Sequence, residues 1–248
     1  MYFFTYESDL PDEVGFAHFS SVHLVWLGGI ALGIVLLSFF YAGRNRQEQQ
    51  RLSRALAWLM CGNIVVEYCI LAVTGHLTTH HLPLQLCEMA PFLCLLFAYT
   101  RWDWVGQTLY SLCWAGALCA LLFPNWNMYP QWNFMNLTGF LTHAGLLLFP
   151  LWQLLDGTLR PRMRAMWKPL VFLAAVVPPL YWLDKRWHTN YFFLLGDSPD
   201  SPLTVLYRLF GKGGYLPAYA LLVLTIMVLE YLPWRKREVW VYYPEGET

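Results

Sequence analysis

Residues 20–41, SSVHLVWLGGIALGIVLLSFFY, contain no Asp, Glu, Lys or Arg. At 1.5 Å per residue a helix of this length covers about 33 Å, enough to cross a hydrocarbon core of about 30 Å. Stretches of the same kind recur at 54–74, 82–100, 105–123, 134–155, 166–184 and 214–233. The chain is 57% hydrophobic and only 13% charged, about half the charged fraction of a soluble domain. The pattern predicts an all-α, polytopic membrane protein: one domain over residues 1–248, built as a bundle of seven transmembrane helices. Formal net charge is zero, so no electrostatic case exists for a nucleic-acid partner.

Topology follows from the basic residues. If the N-terminus lies outside and the C-terminus inside, the inner loops collect 12 of the 16 Lys and Arg, from Arg44 to Arg237, as the positive-inside rule requires. The other four, Lys185, Arg186, Arg208 and Lys212, fall in one long outer loop, 185–213. The first 18 residues carry Glu7, Asp9, Asp12 and Glu13 but no Lys or Arg, the reverse of a signal-peptide n-region. The expected location is therefore a cell membrane, crossed several times, with tryptophans such as Trp102, Trp126 and Trp167 near the span ends. All six cysteines lie in predicted spans, which argues against a disulfide framework. His76 and His80 in GHLTTHH have ligand-like spacing but no carboxylate close in sequence, so neither a metal nor a cofactor is expected. The sequence leaves oligomeric state open.

An ionisable group inside a span marks a site unless it has a structural partner. Glu67 lies about 12 Å from the outer end of its predicted span, Cys87 about 8 Å and His143 about 14 Å. His23 sits just inside the outer end of the first. Four helices thus place polar groups in one half of the bilayer. Each offers one face: Asn63, Glu67 and Thr74; Cys87, Pro91 and Cys94; Asn136, Gly139 and His143. The geometry suits one shared cavity, bordered by Gln85 and Glu88. Pro91 has no N–H, which leaves the Cys87 carbonyl without its helical partner. Cysteines in membrane helices are commonly packing residues, and histidines commonly interhelical hydrogen-bond partners. The residues alone leave three readings open: an enzyme, a transporter or permease binding a small molecule or lipid, and a sensor in which Glu67 and His143 form a structural bond.

FSSVH opening the first span, Glu67, LPLQLC opening the third, THAG in the fifth and NYFFL after the sixth occur in a distinctive order. In these the chain resembles the YwaF family of bacterial membrane proteins, related to eukaryotic transmembrane protein 164. That resemblance implies a bacterial plasma membrane and acyl transfer among phospholipids, or hydrolysis of fatty-acyl esters. It implies Cys87 as nucleophile and His143 as base, with membrane lipids as partners. Glu67 or Asn136 would orient the imidazole, Asn190 would reach in from the long loop acting as a lid, and Lys185 or Arg186 would meet a lipid phosphate. Two departures from the family pattern are Gln85, where bacterial members often carry His, and GKGGYLPAY before the last span.

Overall fold

The computed structural model describes residues 2–11 and 14–235; Asp12, Glu13, Lys236 and Arg237 lie outside the described residues. Seven helices carry the fold: α1 (Ser21–Ala42), α2 (Arg46–Val73), α3 (Leu86–Thr100), α4 (Asp103–Leu122), α5 (Phe134–Leu155), α6 (Trp167–Trp187) and α7 (Pro202–Tyr231). No strand occurs among the described residues. Six of the helices are long and apolar enough to cross a membrane, and α3 is a shorter apolar helix of 15 residues. Large apolar side chains point outward, Val25 at 75% and Val73 at 88% exposure. Such surface has a favourable environment only in lipid.

Local sequence explains most helix starts. Ser20 caps α1 by accepting from the His23 N–H, Asn45 and Glu48 form a reciprocal capping box on α2, and Asn133 and Ser201 cap α5 and α7. Each satisfies an amide that the first turn leaves unpaired. α5 is the hub, packed against α1, α2, α3 and α4, while α6 and α7 lean on α4. The main core joins Ala90, Cys94 and Phe97 of α3 to Tyr110 and Cys113 of α4 and to Leu146 and Phe149 of α5.

Four elements depart from the sequence expectation. α2 starts at Arg46, eight residues before the expected span. The third span begins at Leu86 and not at Leu82, after a 3-10 turn at Thr79–His81. The segment expected as a long loop over 185–213 is largely helical: α6 continues to Trp187 and α7 starts at Pro202, with a break at Gly211 (φ 62°, ψ −179°). That backbone conformation is open to glycine and costly for other residues. Within α4, Leu109–Cys113 forms a π-helical turn, an insertion found often at functional sites.

The arginine-rich end of the bundle is tied by a polar network. Tyr41 Oη donates to Asp156 (2.6 Å), the Thr158 N–H donates to the same carboxylate (2.8 Å), Gln153 donates to Ser53 (2.8 Å), and Arg101 donates to Gln153 (2.6 Å). Tyr41, Ser53 and Gln153 are fully buried, so losing a partner leaves a desolvated group unpaired. Asp156→Ala is expected to destabilise the protein by about 2–4 kcal/mol. A lowered thermal unfolding midpoint in detergent would register the loss; an unchanged midpoint would contradict it.

Candidate functional site

Leu82–Gln85 carries non-helical backbone next to an apolar helix, which membrane depth tolerates only where protein covers it. The cover is the segment after α6. Phe192 N–H donates to the Gln85 side-chain oxygen (2.8 Å), the Gln85 amide donates to the Asn190 carbonyl (3.3 Å), and Tyr191 Oη donates to the Thr79 carbonyl. Tyr191, Phe192 and Leu194 of YFFLL are buried against Leu84, Leu86 and Met89. This stretch of the long loop is therefore packed into the protein over the start of α3. Its own anchor is Asp184, which accepts from the Thr189 hydroxyl (2.7 Å) and the Tyr191 N–H (2.9 Å).

The clamp ends the helix early and thereby changes the setting of Cys87. With Gln85 as N-cap, Cys87 occupies the second helical position, inside the first turn, where the helix N-terminus favours negative charge. The sequence reading starts this span at Leu82, four residues earlier than the structure does. The Cys87 amide faces its own sulfur, and the carboxylates of Glu88 and Glu67 and the Cys113 thiol lie within electrostatic reach. Glu88 has the structural partner it needed: its carboxylate accepts from the Gln85 N–H at 3.2 Å.

His143 is held differently. Its Nδ1 lies 2.7 Å from the Gly139 carbonyl oxygen. A carbonyl can only accept, so Nδ1 carries the proton and Nε2 keeps its lone pair. The ring stacks on Trp126, centroids 4.7 Å apart and planes 21° from parallel. Sequence reasoning placed Trp126 in an interfacial belt; its stacking partner lies 17 positions further along the chain, which no local signal encodes. A Cβ at Gly139 would sit 2.8 Å from the Trp126 ring, so glycine is what admits the indole. Gly139→Ala is expected to push Trp126 off His143, costing about 1–3 kcal/mol and lowering any His143-dependent activity about tenfold to a hundredfold. Parallel melting and turnover assays on the variant check this; wild-type values in both would refute it.

The remaining site residues divide by role. Both ring nitrogens of His23 are used: Nδ1 accepts from the Phe19 N–H (2.9 Å) and Nε2 donates to the Leu121 carbonyl (2.8 Å), tying α1 to the end of α4. Asn190 is committed to its own loop through the Gly196 carbonyl and the Leu195 N–H. Gln85 and Asn190 share a polar cavity of about 350 Å³ with His80, Thr189 and Asp197. Asn136 donates to the Gln131 carbonyl (2.9 Å), while its buried side-chain oxygen has no partner. Glu67 lies against the Thr138 hydroxyl of α5, and Asn63 donates to Thr142 at 2.7 Å. The Cys87 thiol and the His143 ring are not hydrogen-bonded to each other: the ring is fixed by Gly139 and Trp126, the thiol sits by Glu88 and Cys113. The structure does bring their helices, α3 and α5, into contact.

The N-terminal segment closes this end of the bundle. Tyr6 stacks on His76 (4.7 Å) and meets His81 Nε2 at 2.8 Å, and Asp9 lies 3.2 Å from His76. The loop histidines thus have a carboxylate after all, supplied from 67 positions away. Among the described residues no group of three or more His, Cys, Asp or Glu could hold a metal ion. Burial lowers the His81 pKa and pushes Tyr6 up to about 12, so this contact is between neutral groups near pH 7.

A seven-helix bundle with six helices of membrane-crossing length, and polar groups held between them, defines a multi-pass integral membrane protein. The chain belongs to the TMEM164 family, whose family model matches residues 18–232. No curated protein and no solved structure matches it.

Proposed function

We propose that the protein is an intramembrane acyltransferase or lipid hydrolase acting on phospholipid or fatty-acyl esters, with Cys87 as nucleophile and His143 as base. The observation that carries this reading is the bond from His143 Nδ1 to the Gly139 carbonyl. It holds the imidazole as the tautomer whose Nε2 can take a proton. The thiol, on the adjacent helix, sits in a first helical turn whose amides suit the oxyanion formed from an ester carbonyl.

In the first half-reaction His143 Nε2 takes the thiol proton as Cys87 sulfur bonds to the ester carbonyl carbon. Collapse breaks the carbonyl carbon–alkoxy bond, and the imidazolium returns the proton to the leaving alcohol. The product is a thioester at Cys87 and a lysolipid. An acceptor hydroxyl, or water, then attacks the thioester with its proton going to His143, and the thiol is regenerated. The thiol–imidazole hydrogen bond that this transfer needs would form in the substrate complex, since catalytic hydrogen bonds are often long without substrate.

Intact-protein mass spectrometry after incubation with a phospholipid donor tests the proposal. A covalent acyl adduct on Cys87, released by hydroxylamine and absent in Cys87→Ala, is expected. A permease or sensor would show no adduct, tolerate loss of the thiol and depend on Glu67.

A further inference from the structure

The arginine-rich end of the bundle carries more positive charge than its own carboxylates neutralise. Arg46 opens α2, Arg54 follows about two turns along it, and Arg101 ends α3. Arg46, Arg54 and Asp156 lie within electrostatic reach of Arg101, so three cations face one carboxylate. That carboxylate is already engaged. It accepts from Tyr41 Oη and the Thr158 N–H, with Arg46 3.7 Å away. Glu48 of α2 is taken by the Asn45 N–H in the capping box.

Gln153 draws two of these guanidinium groups together. It donates to Ser53, the chain neighbour of Arg54, and accepts from Arg101. Arg101 has the left-handed conformation that ends α3 (φ 57°, ψ 23°), a position glycine ordinarily takes. One of its nitrogens serves Gln153, and its other N–H groups meet no acceptor among the described residues. Arg54 makes no hydrogen bond among them. Its guanidinium lies over the Tyr99 ring at 4.7 Å, and its Nε is buried without an acceptor. A desolvated charged donor is costly until an acceptor is supplied, and the planar fork of a guanidinium matches the oxygens of a phosphate.

The neighbouring surface identifies what carries the phosphate. Trp58 Nε1 donates to Tyr99 Oη (3.1 Å), and both rings are exposed, as is Leu59. An indole and a phenol paired on an apolar surface mark the level where hydrocarbon meets headgroups. An anion at Arg54 thus has lipid-facing surface beside it, which acyl chains would cover and a soluble ion would not. The surplus of positive charge disfavours a headgroup that carries its own cation. We propose that this end of the bundle binds an anionic phospholipid, its phosphate held by Arg54 and Arg101 and its acyl chains lying along the exposed Trp58–Tyr99 seam of α2 and α3. The site does not rest on the acyl-transfer reading: Cys87 is at the other end of α3, about 21 Å away at 1.5 Å per residue.

Native mass spectrometry of the full-length protein in detergent, titrated with phosphatidylglycerol or with phosphatidylcholine of the same acyl chains, tests this. One phosphatidylglycerol is expected to be retained in clear preference to phosphatidylcholine. Arg54→Gln breaks no hydrogen bond and should cut that retention about fivefold, the usual worth of one arginine beside anionic lipid, at an unchanged thermal midpoint. Arg44→Gln removes an equal charge from the same end, where its guanidinium lies over Phe40, and should retain lipid like wild type. Equal retention of the two lipids overturns the proposal. So do equal losses in Arg44→Gln and Arg54→Gln, which would mean diffuse attraction to a basic surface. Displacement of the lipid by millimolar inorganic phosphate also overturns it, by assigning the arginines to a soluble anion.

Discussion

Cys87→Ala is expected to reduce acyl transfer on the order of 10⁴-fold or more, the scale seen when a nucleophile acting as part of a unit is removed. The expectation rests on where α3 begins. Gln85 is held by Phe192 and Asn190, so helical geometry starts at Leu86 and Cys87 lies in the first turn. The amides of that turn have no partner four residues back, and negative charge is stabilised beside them. Cys87→Ser keeps the shape and hydrogen-bonding capacity but replaces a thiol with a far weaker nucleophile, and should recover little of the loss. Both variants should fold, because Cys87 only borders the core cluster and swaps of this size leave a small void. Initial rates with a defined phospholipid donor measure the effect, and a Cys87→Ala protein retaining a tenth of wild-type turnover would sink the nucleophile assignment.

The second large effect concerns His143. His143→Gln should lower the rate about 10²–10⁴-fold, the usual contribution of a general base, while leaving the bundle intact. Glutamine can donate to the Gly139 carbonyl in place of Nδ1–H, and so preserves the one hydrogen bond the ring makes. It cannot accept a thiol proton. Ionisation of Cys87 must then rely on hydroxide, and residual activity should climb with pH between 7 and 9 more steeply than in wild type. A purely structural histidine predicts the opposite pair of results: near-normal turnover in the glutamine variant and parallel pH profiles.

The number and order of the helices were legible in the sequence because hydrocarbon imposes a local rule. Each span must be long and apolar enough to satisfy its own backbone without water, and that requirement is written residue by residue. Helix caps such as Ser20, Asn45 and Asn133 are local too. The polar faces of α2 and α5 were visible as stripes, but Asn63 meets Thr142, off the Asn136, Gly139 and His143 stripe expected to share its cavity. His23, with equal standing in the sequence, proved to be a strut with both nitrogens spent.

The sequence by itself determined an all-helical, multi-pass membrane protein and its approximate spans, through hydrophobic length and periodicity. Tertiary structure decided how the polar residues are used. The start of α3 depends on hydrogen bonds between Gln85 and residues more than 100 positions away, which hold Leu82, Pro83 and Leu84 out of the helix. The stacking of Trp126 on His143 depends on a missing side chain at Gly139. Each is a contact between segments whose proximity no local pattern encodes, so packing had to settle it.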